Sequence, residues 1–260
     1  MILVFDVGNT DLTIGLFAAS ELRGHWRVVT DVPRTSDEFG VLLRTLLIAS
    51  DFNPSVVDGV AIASVVPPVT APLSAACERY LGVSTPTIID AKAGLPIRLE
   101  VDEPLTVGAD RIMNTLAASK LFQKDTIVVD FGTATTFDCI TGDGHFIGGV
   151  IMPGIRTAAD DLIRKTAKLP ATELTPPPHV IGKRTEDCIR AGVLWGAVDA
   201  VDGIVGRIKA EWPGGGKPKV IATGGLAGLV APLSNTIESV HPDLTLVGLR
   251  FAAQALGLAW

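Results

Sequence analysis

Ile2-Leu3-Val4-Phe5-Asp6-Val7-Gly8-Asn9-Thr10-Asp11-Leu12-Thr13 opens the chain, and Ile127-Val128-Val129-Asp130-Phe131-Gly132-Thr133-Ala134-Thr135 repeats its pattern past the middle. Each stretch is a short apolar run that ends on an aspartate and turns through a glycine. Each then resumes, as Leu12–Phe17 in the first and Thr135–Ile140 in the second. Such runs around a Gly-containing turn predict strand, tight turn, strand. Aligning Asp6 with Asp130 also aligns Gly8 with Gly132 and puts Thr10 beside Ala134. The offset, 130 − 6 = 124, is close to half of the 260 residues. A duplicated domain is the simplest explanation, with one half at 1–122 and the other at 123–260.

The remainder of each half fits α/β layering. In the first, Thr35 or Ser36 caps a helix to about Ala49, with Asp37 and Glu38 in its first turn. Strand Gly59–Ala63, a helix through Val69–Leu81 and strand Thr87–Ile89 follow. Helical periodicity over Ala109–Phe122 joins the halves. In the second half, helices are expected at Ile155–Lys168, at Thr185–Trp212 in one piece or two, and at Arg250–Leu258. A strand is expected at Val220–Thr223. Thr166–Pro178 holds prolines at 170, 176, 177 and 178 and reads as a loop.

Bulk properties exclude several classes. Hydrophobic residues make up 47% and charged residues 19%, so the chain is not disordered. With a net charge of −6 and no Lys/Arg cluster, nucleic acid is not expected as the main partner. Mean hydropathy is +0.40, yet every apolar run is broken by Asp, Gly or Pro before the ~18 residues a spanning helix needs. No membrane association is expected. Met1–Asp6 has no basic region and no cleavage site, and it reads as a strand rather than a signal peptide. Cys77, Cys139 and Cys188 are odd in number, far apart and without CxxC spacing. Buried, reduced thiols in a cytoplasmic protein are the expectation.

The turns carry the chemistry. A carboxylate at a strand end before a Gly-containing turn suits phosphate and metal, because glycine lets backbone N–H groups approach a phosphate closely. Asp6 is the candidate Mg²⁺ ligand, since Mg²⁺ prefers oxygen ligands and keeps several waters. A third glycine turn, Thr223-Gly224-Gly225-Leu226, suits the sugar or base of a nucleotide. Neither Gly-x-x-x-x-Gly-Lys-Ser/Thr nor a strand followed by Gly-x-Gly-x-x-Gly is present. Gly108-Ala109-Asp110-Arg111 opens a helix. There Asp110 could take a proton from a substrate hydroxyl while Arg111 holds an anionic group. Gly148–Gly154 reads as a rigid loop. It either walls a substrate pocket or turns the chain into the next helix.

Taken in order, Asp6–Thr10, Ser64-Val65-Val66-Pro67, Gly108–Arg111, Asp130–Ala134, Gly148–Gly154 and Ala222–Gly225 resemble the motif series of type III pantothenate kinases. The likeness runs from residue 2 to about 250. It implies two duplicated ribonuclease H-like domains of the actin-like ATPase superfold, with a nucleotide cleft between them. The implied reaction is ATP-dependent phosphorylation of pantothenate, the first step of coenzyme A biosynthesis. The implied ATP contacts are Asp6, Val7, Gly8, Asn9, Thr10, Asp11, Leu12, Thr13 and Thr133. Asp110 would be the general base. Gly108, Ala109, Asp110, Arg111 and Thr185 would bind substrate, and Asp130 a monovalent cation, K⁺ or NH₄⁺. A homodimer is implied, with the partner contributing to the substrate pocket.

Two residues depart from the family pattern. Val101 stands where many members carry a substrate-contacting Tyr, and Asp11 where Asn is more usual. A second carboxylate beside a triphosphate would repel it unless it points away or helps bind Mg²⁺. The rival readings are a kinase for another small hydroxy acid or sugar, a superfold phosphatase, and a non-catalytic transcription accessory factor.

Overall fold

The computed structural model of the protein describes residues 1–30 and 32–258. The chain forms two compact units. One holds Met1–Leu121 and the chain from Leu244 on; the other is Phe122–Asp243.

The first unit contains β1 (Ile2–Val7), β2 (Asp11–Ala18), β3 (Glu21–Val29), α1 (Ser36–Ala49), β4 (Gly59–Ser64), α2 (Pro67–Ala76), β5 (Thr87–Ile89), the short β6 (Arg98–Leu99) and α3 (Ala109–Phe122). Its sheet runs β3-β2-β1-β4-β5. β1 is antiparallel to β2 and parallel to β4. Being central, β1 is covered on both faces, so its sequence is a continuous apolar run rather than an alternating one. Leu3, Phe5 and Val7 pack with Phe39, Leu43 and Leu73 on one face. Ile2 and Val4 pack with Met113, Leu116 and Leu249 on the other.

The second unit contains β7 (Thr126–Phe131), β8 (Ala134–Ile140), β9 (His145–Pro153), α4 (Ile155–Arg164), α5 (Thr185–Glu211), β10 (Lys219–Thr223), α6 (Ala227–Val230) and β11 (Ser239–Val240). Its strands run β9-β8-β7-β10-β11, with β8 antiparallel and β10 parallel to β7. This is the first unit's topology repeated strand for strand. Even the burial along the central strands matches: four buried residues, a half-buried Asp6 or Asp130, then one more buried residue.

Local signals account for most boundaries. Thr35 and Glu38 form a full capping box at α1. Pro67 and Pro68 start α2, where their missing N–H groups leave nothing unpaired. The helical stretch expected to Leu81 continues past α2 only as a π-turn, Cys77–Leu81, and stops at left-handed Gly82. Thr185–Glu211 is one continuous helix despite its four internal glycines.

Four expectations differ from the structure, among them the burial of Cys188. Gly148–Pro153 is not a loop but the end of strand β9, paired to β8 from Ala134↔Pro153 to Ile140↔Phe146. A register shift at Cys139/Ile140 and Gly148 at φ 119° absorb the bend. α4 ends at Arg164, where Arg164 and Lys165 both pair with Asp161. The closing helix is Leu244–Ala255 (α7), and it packs on the first unit, although its residues fall in the second half of the sequence. Gly248 permits this, because a Cβ there would collide with the Met113 carbonyl of α3. Of the three cysteines, all free, Cys77 and Cys139 are buried and Cys188 is exposed. Burial pushes the Cys77 thiol up to about 12.

His241 follows β11, and its ring meets Phe122 edge-on at 5.1 Å. Burial and the nearby Lys219 hold its imidazole below the ordinary 6.5. The folded state therefore resists protonating a group that the unfolded chain protonates freely. Stability from this group is complete above pH 6.5 and is lost as pH falls through the depressed folded value. Urea midpoints should decline between pH 7 and 5, with a shallower decline in His241→Gln. Parallel slopes in the two proteins would contradict this.

Candidate functional site

In each unit the strand-end aspartate lies at the carboxyl end of the central strand, where ligands of open α/β sheets bind. In the first unit Asp6 is the penultimate residue of β1, in register with Thr13 of β2 and Ala63 of β4. The turn Gly8–Asp11 is closed by the Gly8 N–H donating to the Asp11 carbonyl at 3.0 Å. The Thr30 N–H donates to the Thr10 carbonyl at 2.8 Å and fixes the turn from outside. Asn9 and Thr10 are exposed at its tip. The Asp11 carboxylate lies 3.9 Å from the Arg27 guanidinium. That charge offsets the repulsion a second carboxylate would exert on a phosphate.

The second unit repeats the device with one residue fewer. Asp130 is in register with Thr136 and Thr223. The Gly132 N–H donates to the Ala134 carbonyl at 3.0 Å. The Ala134 carbonyl thus does what the Asp11 carbonyl does in the first turn. By hydrogen bonding, Thr10 is matched by Thr133, not by Ala134 as the ungapped alignment has it. Thr133 and Gly132 are exposed.

Two glycines outside the turns hold this second site together. Gly154, at the N-cap of α4, donates its N–H to the Thr133 carbonyl at 3.1 Å, and Thr157 Oγ1 donates to the same carbonyl at 2.7 Å. A Cβ on Gly154 would collide with the carbonyls of Gly132 and Thr133. Gly224, at φ 88°, lies against Asp130, and a Cβ there would collide with Asp130 Oδ1. The third glycine turn therefore packs directly on the aspartate of the second. The dense Gly content of both segments was the available signal; which atoms they would touch was not readable from sequence.

Gly108-Ala109-Asp110-Arg111 begins α3. Asp110 Oδ1 accepts the Arg111 N–H at 2.8 Å. The carboxyl is folded back so far that a Cβ on Gly108 would collide with it. A side chain at residue 108 would have to displace the Asp110 carboxylate from this position. Gly108 and Ala109 wall a cavity of about 240 Å³ whose other side is Ser64, Val65, Asp90 and Lys92. Asp90 and Lys92 are additions that motif reading missed. They follow β5 in a segment with no pattern of its own.

Thr185 lies elsewhere, at the first turn of α5. It lines an apolar cavity of about 630 Å³ in the second unit with Met152, Leu162, Cys188, Ile189 and Val193. Val101, in a bend, is half-buried.

Among the described residues no three His, Cys, Asp or Glu side chains converge as a metal cluster. Asp6 and Asp130 are single strand-end carboxylates. That donor set fits a cation whose other ligands are phosphate oxygens and water. No helix among the described residues is long and apolar enough to cross a membrane.

A family model for type III pantothenate kinase matches residues 2–207. The type III pantothenate kinase of Moorella thermoacetica is 48% identical over 252 residues, covering 96% of this chain and 97% of that protein. That of Anaeromyxobacter dehalogenans is 47% identical with the same coverage. Among solved structures, a Baf family transcriptional activator from Campylobacter jejuni aligns with TM-score 0.60 at 18% identity, over 97% of both chains. The activator of 2-hydroxyisocaproyl-CoA dehydratase from Clostridium difficile, with bound ADPNP, aligns with TM-score 0.56 at 13% identity, over 99% of this chain and 93% of that one. These two likenesses bear on the fold, which is that of the actin-like ATPases.

Gly224→Ala should cost about 1–3 kcal/mol, from the left-handed backbone and the collision with Asp130. Gly228→Ala, where a Cβ meets nothing within 4 Å, should stay within about 0.5 kcal/mol of wild type or stabilise. Urea unfolding of both checks this, and equal midpoints would contradict the packing described.

Proposed function

The chain belongs to the type III pantothenate kinase family, and from that premise we propose how its residues serve the reaction. It is an ATP-dependent kinase that phosphorylates pantothenate, the opening step of coenzyme A biosynthesis. Phosphoryl transfer asks a protein mainly for positioning and charge neutralisation, with a carboxylate to receive the hydroxyl proton.

We assign that carboxylate to Asp110. The observation that carries the assignment is its place: Asp110 Oδ1 accepts the Arg111 N–H at 2.8 Å at the start of α3, two residues from Gly108, which lines the 240 Å³ cavity. Oδ2 is the atom assigned to take the proton from the terminal hydroxyl of pantothenate. Arg111 would offset charge on the transferring phosphoryl group. Gly108, Ala109 and Thr185 are assigned to substrate. Asp6, Val7, Gly8, Asn9, Thr10, Asp11, Leu12 and Thr13 are assigned to ATP, together with Thr133. Their turns offer exposed hydroxyls and backbone N–H groups beside a strand-end carboxylate. Asp6 would hold the Mg²⁺ that accompanies ATP and Asp130 a monovalent cation, K⁺ or NH₄⁺; when bound, they offset negative charge on the phosphates. Neither phosphate turn contains a lysine to supply that charge.

A homodimer is the second part of the proposal. Gly192, Gly196, Gly203 and Gly206 recur along α5, and a Cβ at any of them would meet nothing within 4 Å. Glycine in a helix interior costs about 1 kcal/mol against alanine. Packing of a second copy against this face would give the four positions a use. Light scattering should report twice 27.2 kDa, and the monomer mass at micromolar concentration would sink this part. Three free cysteines and a substrate of central metabolism favour a cytoplasmic location.

The accessory-factor reading requires loss of the chemistry. Asp6, Asp110, Asp130 and Thr133 are all present, in a chain 48% identical to a protein named as a kinase. Asp110→Asn should lower kcat by about 10²–10⁴-fold while ATP affinity stays within about twofold. Replacing K⁺ by Na⁺ should slow wild-type turnover. An Asp110→Asn enzyme with wild-type kcat would remove the proposed base.

A further inference from the structure

The 240 Å³ cavity beside Gly108 is lined by a charge, on the exposed Lys92, that the phosphoryl transfer itself does not use. Its wall is apolar over Val65, Leu105, Val107 and Ala109, and its charged members are Asp90 and Lys92. Asp90 is occupied in building the turn after β5: its Oδ1 accepts the Lys92 N–H at 2.8 Å, and its carbonyl accepts the Ala93 N–H at 3.2 Å. That turn fixes the backbone of Lys92 and ties Asp90 Oδ1 to the main chain. Lys92 is then the one cation among the residues lining the cavity.

Pantothenate has the matching asymmetry. One end is the hydroxyl that receives the phosphoryl group, the middle is a branched hydrocarbon and an amide, and the far end is a carboxylate. The hydroxyl belongs near Gly108, where Asp110 lies. The hydrocarbon suits the valine and leucine wall. A carboxylate drawn into a partly apolar cavity needs a counter-charge and a hydrogen-bond donor, or its desolvation opposes binding. Arg111 already has an interaction within the protein and sits beside the base, at the phosphoryl end.

We propose that Lys92 pairs with the carboxylate of pantothenate and makes the enzyme selective for the acid over uncharged analogues. This rests on the pantothenate kinase reading. Lys92 does not touch the reacting atoms, so its effect should fall on recognition.

The test compares two acceptors, pantothenate and its alcohol analogue, in which the carboxylate is reduced to a hydroxymethyl group and the accepting hydroxyl is kept. Wild type, Lys92→Met and Lys92→Arg are assayed on both. Losing a hydrogen bond to a charged group should lower kcat/KM for pantothenate by about 10- to 100-fold in Lys92→Met, mostly through KM. The KM for ATP and the thermal midpoint should stay unchanged. The alcohol should be used equally by wild type and Lys92→Met, so the preference for the acid disappears in the variant. Lys92→Arg should restore most of it. If Lys92→Met loses activity on both acceptors in parallel, or on neither, the pairing is overturned while the kinase reading stands. If wild type phosphorylates neither, the kinase reading fails and the pairing fails with it.

Discussion

In each unit the central strand must be apolar on both faces for its whole length and yet deliver a carboxylate at its end. β1 and β7 meet that demand alike. Four fully buried residues anchor the strand, and the aspartate is half-buried at the first position beyond them. Burying those side chains contributes roughly 1.5–3 kcal/mol each for the larger ones. The position of Asp6 or Asp130 is therefore backed by the core rather than by a flexible loop. The glycine two residues on lets the chain turn tightly, and its N–H is satisfied inside the turn. The exposed residues at the tip are then held in place, where the proposal puts the phosphates.

The other glycines follow from the same demand. Asp130 and the Phe131 backbone are packed so closely that residue 224 has no room for a side chain, and a side chain at residue 108 would displace the Asp110 carboxylate. Gly154 gives up its Cβ so that the Thr133 carbonyl can receive two hydrogen bonds. These are close approaches of backbone to residues assigned to the site.

Much of this was legible in the sequence because duplication is a long-range signal that needs no contact information. Asp-x-Gly at residues 6 and 130 was enough to infer two like halves, and α1 and α3 could be read from capping and period. What the sequence concealed has identifiable causes. β9 was masked by Gly148, Gly149, Pro153 and Gly154, residues that weaken strand propensity and here serve a bend and a close approach. The attachment of α7 to the first unit is a matter of tertiary packing, settled by Gly248 against Met113. The one-residue difference between the two turns shifted the apparent partner of Thr10, because an ungapped alignment cannot see which carbonyl closes a hairpin. Lys92 belongs to no motif and stands out only through the cavity it lines.

The proposed chemistry reduces to a carboxylate that receives a proton from a hydroxyl, two turns assigned to the phosphates, and the cations assigned to offset their charge. The most direct measurement is ADP release from Mg·ATP by the purified protein in K⁺ buffer, with and without pantothenate, and the acceptor product identified by mass. The prediction is ADP formation that depends on pantothenate and matches, mole for mole, the appearance of its monophosphate ester. ADP formed at the same rate without pantothenate, or no turnover by folded protein in its presence, would contradict the assignment.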